Sequence, residues 1–506
     1  MKLFLDGHDL GYEMQALCYA FFPGEAVAVE TAGAETDAGG NNEDFAYTRI
    51  RRRADGSVSA LVCLRRGGAF ARAGERFDAD SGAGHPFDRA CEWALGRTLY
   101  RAVSRLCGVT PPWGVLTGIR PVKLVRDRLS AGMDEDEIVG DFGRSYYVTE
   151  QKARLCVTCA REEERIVALS RPDSASLYIS IPFCPSRCLY CSFISHDVAK
   201  TARLLPDYVR LLCEEIAQTG ALADELSLRL ETVYIGGGTP TVLSADQLAA
   251  VMDAVKCAFK LDALREYTVE AGRPDTITKE KLAVIMAGGA RRISINPQTL
   301  DDAILKRIGR GHTAEQVYSA FALAREAGIP SINMDLIAGL PGDTPEGFAR
   351  TIDGVLALGP ESVTVHTLAM KRSSRLVTEE GGLYDAEGAD CGAMHRYAQT
   401  CLDAAGYRPY YLYRQKNCLG GLENVGYAKP GFEGLYNIFI MDETHSILAA
   451  GAGGVTKLRQ PCGDRIERVF NFKYPYEYIA RFSEIRDRKK KVREFYGRYR
   501  NDNRQI

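Results

Sequence analysis

The sequence predicts an α/β fold. Its middle third, residues 171–370, reads as an open (βα)6 partial TIM barrel, flanked by an N-terminal α+β domain over 1–170 and a mixed C-terminal α+β region over 371–506 that ends in a basic tail. Three observations lead there. Short apolar runs rich in Val, Ile and Tyr alternate with longer segments whose apolar residues recur every three to four positions, the signature of repeated βα units and a parallel sheet. There are six such units, too few to close an eight-stranded barrel. The polar residues with chemical potential gather where the short runs end, which in parallel sheets is the ligand-binding edge.

The expected strands are 176–182, 232–236, 266–271, 292–297, 331–338 and 362–369. Between them the expected helices are 203–220, 245–258, 278–288, 314–327 and 345–357. In the N-terminal domain, 46–53 and 58–65 form a hairpin around Ala54-Asp55-Gly56, followed by helices at 88–107, 120–130, 134–142 and 149–169. The polar stretch Ser170-Arg171-Pro172-Asp173-Ser174 marks the boundary. The run Pro111-Pro112-Trp113-Gly114 reads as a structural loop, packing on the barrel being the other reading. The charge run at Lys489-Lys490-Lys491 reads as solvated.

One loop decides the chemistry. Cys184, Cys188 and Cys191 stand in the spacing C-x3-C-x2-C, directly after the first barrel strand. Three thiolates can hold three irons of a [4Fe–4S] cube and leave the fourth iron to a small molecule, whereas electron-transfer clusters take four cysteines. S-adenosylmethionine is the ligand that suits an open iron at this spacing, which makes the chain a source of radical chemistry. Zinc is the rival metal, with His196 completing a tetrahedron. About fifty residues later, Gly236-Gly237-Gly238-Thr239 follows the second strand, and a triple glycine there allows close backbone approach to a ligand.

Composition narrows the alternatives. Across 506 residues the net charge is −2, which gives no electrostatic footprint for nucleic acid. The start turns polar too soon to read as a secretory leader, so the fifteen cysteines are expected to be reduced thiols plus a metal site. No run is long and apolar enough for a membrane span. The expectation is a cytoplasmic protein.

These motifs resemble the radical SAM family of oxygen-independent coproporphyrinogen III oxidases (dehydrogenases), and most closely its HemZ-type subgroup. The resemblance rests on Tyr178, the three cysteines, Gly236–Thr241, Arg292–Gln298, Gly309–Thr313 and Asn333–Gly342, with the Pro-Pro-Trp-Gly-Val-Leu-Thr-Gly-Ile-Arg-Pro run resembling that subgroup alone. It implies that the cysteines hold the cluster, and that Gly237, Gly238, Thr239, Glu270, Gln298, Arg310 and Asp335 contact S-adenosylmethionine. Tyr178 lies beside it, and Tyr178 and Glu270 are the candidate catalytic residues. The residue types agree: an arginine suits the methionine carboxylate, and carboxylates and amides suit the ribose hydroxyls and the amino group.

The implied reaction is decarboxylation of two propionates of coproporphyrinogen III to vinyls in haem biosynthesis, with an electron donor such as flavodoxin or ferredoxin. Lys371, Arg372 and Arg375 are candidate clamps for the carboxylates of such a tetrapyrrole. Two positions depart from the best-studied oxidases: Ser192-Phe193 follows the third cysteine, and Ser180 stands where those enzymes have histidine. The Phe193 pattern occurs in related haem-delivery proteins, so a haem carrier is the alternative, as is another radical enzyme acting on tetrapyrroles, such as a haem-opening methyltransferase. The His-Asn-x-x-Tyr-Trp string of the carriers is absent. Cys156 and Cys159, one helical turn apart, read as packing. His312 and His445 read as hydrogen-bonded structural residues, and His366 faces either the site or the core.

Overall fold

The structure, a computed structural model, describes residues 1–22, 25–32, 43–78, 87–118, 120–193, 196–371, 373–378 and 390–500. Arg372 falls outside the described residues. The chain divides into two compact units, 1–160 with 412–423, and 161–411 with 424–506. The expected boundaries at 170 and 370 therefore shift, for reasons given below.

In the first unit, strands β1 (Lys2–Asp6), β2 (Ala28–Thr31), β3 (Phe45–Arg52), β4 (Ser57–Arg66) and β5 (Ala69–Asp78) form one sheet in the order β2-β1-β3-β4-β5. The expected hairpin is β3–β4, and its turn is fixed by Gly56 at φ +85° and by Asp55, which accepts from the Ser57 amide at 3.1 Å. Strand β4 alternates: Val58, Ala60, Val62 and Leu64 are all buried, and they pack with Leu95, Leu99 and Val103 of the helix Phe87–Cys107. Trp113 is buried, and its Nε1 donates to Glu423 Oε2 at 2.6 Å. Lys152 pairs with the same carboxylate at 2.5 Å, so the buried acid is fully answered. Cys156 and Cys159 are both buried within the helix Glu150–Val167.

The second unit holds the barrel. Strands β6 (Ser174–Ile181), β7 (Phe183–Cys184), β8 (His196–Asp197), β9 (Arg229–Gly237), β10 (Glu266–Glu270), β11 (Arg292–Ser294), β12 (Ser331–Ala338) and β13 (Ser362–Thr367) come first, and β7 pairs only with β8. The other six are parallel and adjacent in chain order, β6-β9-β10-β11-β12-β13. Helices Leu205–Glu225, Ala245–Ala258, Lys279–Ala287, Ala314–Glu326 and Pro345–Leu358 connect them, each within a few residues of its expected span. Capping boxes at Ser244/Gln247 and Thr313/Gln316 start two of these helices.

The C-terminal segment does not stand apart. Strands β14 (Arg408–Arg414) and β15 (Glu423–Ala428) extend the sheet beyond β13. Strand β16 (Ser446–Ala450) pairs parallel with β6, and β17 (Val455–Arg459) and β18 (Ile466–Phe470) follow it antiparallel. Tyr208 ties the join: its hydroxyl donates to Ser180 O at 2.8 Å and accepts from the Ala452 amide at 2.9 Å, while Ser180 Oγ donates to Ala452 O at 2.7 Å.

The basic tail proves structural at its centre. In the helix Phe482–Arg500, Lys489 shares the buried stripe with Ile485, Val492 and Tyr496, and its ammonium pairs with the fully buried Glu215 at 2.9 Å. Among the described residues, no helix is long and apolar enough to cross a membrane.

Candidate active site

The two faces of the barrel sheet differ sharply. Leu177, Ile179, Val233, Ile235, Val269, Ile293, Met334, Leu336, Val363 and Val365 are fully buried on one face. The alternate residues Tyr178, Ser180, Tyr234, Glu270, Ser294, Asn333, Asp335, Thr364 and His366 are polar. A parallel sheet covered on both sides is normally apolar on both. The polar face therefore lines a site.

The cysteine loop is held at the carboxyl edge of this sheet. Cys184 sits on β7, with its sulfur accepting from Thr239 Oγ1 at 3.5 Å. Leu189 N donates to Ile308 O at 2.8 Å, Ser186 Oγ to Gly309 O at 2.9 Å, and Leu376 N to Leu189 O at 2.9 Å. Arg187 reaches Ser373 O at 2.8 Å. Burial pushes the Cys191 thiol up to about 12, and the neighbouring Cys188 and Cys184 add to this. Binding iron must displace protons. His196 does not join them; its ring lies edge-on to Tyr474 and Tyr476 at 5.9 and 6.4 Å. Among the described residues, no three His, Cys, Asp or Glu side chains gather to hold one metal ion. A cube does not require that, since each thiolate takes a different iron.

The triple glycine serves the protein first. A Cβ on Gly238 would stand 2.5 Å from Phe183 O, and one on Gly236 would stand 2.6 Å from both Glu270 Oε2 and the Tyr234 ring. Gly237 adopts φ +107° and its amide donates to Glu270 Oε2 at 3.3 Å. The glycines thus let the turn pack under the Cys184 strand and against Glu270.

The two carboxyls of the site diverge. Burial, reinforced by Asp335, pushes Glu270 up to about 8. Burial also acts on Asp335, but the neighbouring His366, Asn333 and Thr364 outweigh it and hold this group below the usual carboxylate range. Asn333 Nδ2 donates to Asp335 Oδ1 at 2.7 Å. At neutral pH one carboxyl carries a proton and its neighbour does not. The folded Glu270 retains a proton that an unfolded chain loses near pH 4.5, so its stabilisation is complete below that pH and is lost as pH rises through about 8. Thermal denaturation of cofactor-free protein from pH 5 to 9 should show wild type losing stability relative to Glu270→Gln across that window. Parallel curves would refute this protonation state.

Gln298 sits at φ +69°, with its amide donating to Asp335 O at 3.0 Å and its Oε1 buried without a partner. Arg310 differs from expectation in what it holds. Its Nη1 serves the Asn296 and Pro297 carbonyls and its Nη2 serves Gly272 O at 3.0 Å, leaving only the buried Nε unpartnered. These unmatched buried atoms, with three cysteines on one loop, fit a cluster and a polar ligand with a carboxylate and hydroxyls. Tyr178 stacks with Tyr234 and Tyr436, centroids 6.2 and 6.1 Å away. Lys371 and Arg375 are half-buried on the segment laid against the cysteine loop, where Arg375 reaches Arg187 O at 3.4 Å.

Several members of the site were not read from the sequence. Tyr436 lies far along the chain and has no local signal. His366 does face the site, its Nε2 3.9 Å from Asp335 Oδ2 and its Nδ1 3.3 Å from Asn424 Oδ1. His445 is hydrogen-bonded to Ser170 and Ser176 as expected. His312 is not: both ring nitrogens are buried, and the Pro297 carbonyl approaches without reaching hydrogen-bonding geometry. Burial, with Arg310 and Arg273 beside it, pulls His312 down to about 3, so it is neutral.

Comparison with known proteins identifies the family. Residues 178–355 match the Radical SAM superfamily. The chain is 40% identical over 390 residues to the oxygen-independent coproporphyrinogen-III oxidase-like protein HemZ of Bacillus subtilis, covering 76% of this chain and 78% of that one. It is 35% identical over 289 residues to the heme chaperone HemW of Lactococcus lactis, covering 56% and 70%. In structure it resembles the coproporphyrinogen III oxidase HemN of Escherichia coli, with a TM-score of 0.50 at 23% identity over 64% of this chain and 72% of that one, a likeness of fold. The chain belongs to the radical SAM superfamily, whose members carry a [4Fe–4S] cluster and S-adenosylmethionine, and within it to the HemN/HemZ family.

Proposed function

We propose that the protein catalyses oxidative decarboxylation of two propionates of coproporphyrinogen III, giving protoporphyrinogen IX, in the cytoplasm, with one electron per propionate from a flavodoxin or ferredoxin and a separate electron acceptor taking the electron left as carbon dioxide departs. The observation that carries this reading is the position of Lys371 and Arg375, on a segment hydrogen-bonded to the cysteine loop through Leu376 and Leu189. Cations there would hold a substrate's carboxylates beside the radical source. The similarity to the HemZ oxidase-like protein over most of both chains supports it. When bound, the cluster and adenosylmethionine supply a hydrogen-abstracting radical.

The protein's own residues have separate tasks in this scheme. Cys184, Cys188 and Cys191 bind iron. Asp335, Gln298 and Arg310 orient the cofactor, and Tyr178 flanks it. Glu270 and the Gly236–Thr239 turn receive its amino group, and Glu270 must give up its proton to do so. The second reading, a haem-delivery protein, is favoured by the HemW relatives.

Anaerobic incubation with coproporphyrinogen III, dithionite and adenosylmethionine separates the two. We expect product masses lower by carbon dioxide and two hydrogens for each of first one and then two propionates, together with weak haem binding that lacks an axial-ligand spectrum. Stoichiometric haem binding without vinyl product would establish the carrier instead.

A further inference from the structure

Beneath the cysteine loop lies a guanidinium that carries no role in the scheme above. Arg273 follows β10 and is 2% exposed. Its Nη1 donates to Ser186 O at 3.3 Å and to Ser186 Oγ at 3.2 Å, and its Nε donates to Asp275 Oδ1 at 3.3 Å. Its Nη2 is buried without a partner. Ser186 is two residues from both Cys184 and Cys188.

Arg310, also buried, lies close enough to Cys184 and Cys188 to interact with their charge, and its Nε is unpartnered too. The neutral His312 lies close enough to both guanidiniums to feel their charge. Among the described residues, Asp275 is the one carboxylate hydrogen-bonded to either, so this buried patch holds one positive charge in excess. A buried charge is costly unless an opposite one answers it. An oxidised four-iron cube on three thiolates carries one negative charge overall, and a second after reduction.

We propose that Arg273 is a positioning residue of the cluster: its fork fixes the loop at Ser186, and its charge favours the reduced, more anionic cube. Attraction to a nearby cation raises a reduction potential, more so in a poorly solvated setting. The inference rests on the cluster assignment and not on the identity of the substrate.

The test uses full-length protein and the variants Arg273→Gln, Arg273→Lys and Ser186→Ala. Redox titration of the reconstituted cluster, followed by its paramagnetic signal without adenosylmethionine, should place Arg273→Gln at a lower midpoint than wild type. Arg273→Lys and Ser186→Ala, which keep the charge, should stay near wild type. Amide hydrogen exchange over 183–192 in cluster-free protein should speed up in all three variants. Iron loss to a chelator should be about tenfold faster, the usual cost of removing an outer-shell contact. An unchanged midpoint in Arg273→Gln overturns the charge role, and unchanged exchange in all three overturns the positioning role. Wild-type protein that takes up no iron would instead defeat the cluster assignment, while the exchange measurement would still read the loop.

Discussion

Alanine at any one of Cys184, Cys188 or Cys191 abolishes both the brown iron–sulfur absorbance and adenosylmethionine cleavage. This is the largest effect expected in the molecule, because each of the three thiolates is assigned a different iron. His196, the nearest substitute in sequence, is turned toward Tyr474 and Tyr476. After anaerobic reconstitution, wild type should hold about four irons and four sulfides per chain. The control is Cys156→Ala with Cys159→Ala. Both thiols are buried in the first unit, and iron content should not change in the double variant. Wild-type protein that takes one zinc and no iron would refute the assignment, as would a single cysteine variant with full iron content.

Loss of Asp335 should weaken adenosylmethionine binding by roughly ten- to a hundredfold, the equivalent of about 1.5–3 kcal/mol for a charge-assisted hydrogen bond. The cluster should remain, since Asp335 sits on β12, away from the loop contacts. Arg310→Ala should cost affinity and also lower the melting temperature. Its guanidinium serves three backbone carbonyls, and removing it strands buried acceptors at Asn296, Pro297 and Gly272. Calorimetric binding to both variants separates the two roles. Wild-type affinity in each would mean that neither residue touches the cofactor.

The barrel was legible because its strands and helices carry opposite periodicities that survive in a single sequence. Every expected barrel strand and helix is present within a few residues. The cysteine loop and the glycine turn were legible for a different reason, namely that their spacing is chemical. What escaped depends on distance along the chain. Nothing near Tyr436 announces that it will stack on Tyr178 across the barrel. Arg273, in a Gly-Arg-Pro-Asp turn, has the composition of a solvated loop, and only the fold shows it buried. Lys489 was hidden by its neighbours. Three consecutive lysines read as a charged surface, yet helical geometry directs the first toward Glu215 and leaves Lys490 exposed. The first unit's β1, β2 and β5 were missed because β1 is only five residues long and the two edge strands, β2 and β5, bury a single residue between them, Ala73.

The pairing of β16 with β6 has a bearing on how the protein is made. The strand that leads into the cysteine loop acquires its second neighbour only from residues 446–450, about 270 positions downstream. At ~5–20 residues per second, a ribosome needs tens of seconds to cover that interval. Until then Ser180 lacks Ala452, and the loop's own strand is an open edge. Iron–sulfur assembly on the nascent chain should therefore lag until synthesis is nearly complete, and chains stalled before residue 446 should emerge without a cluster.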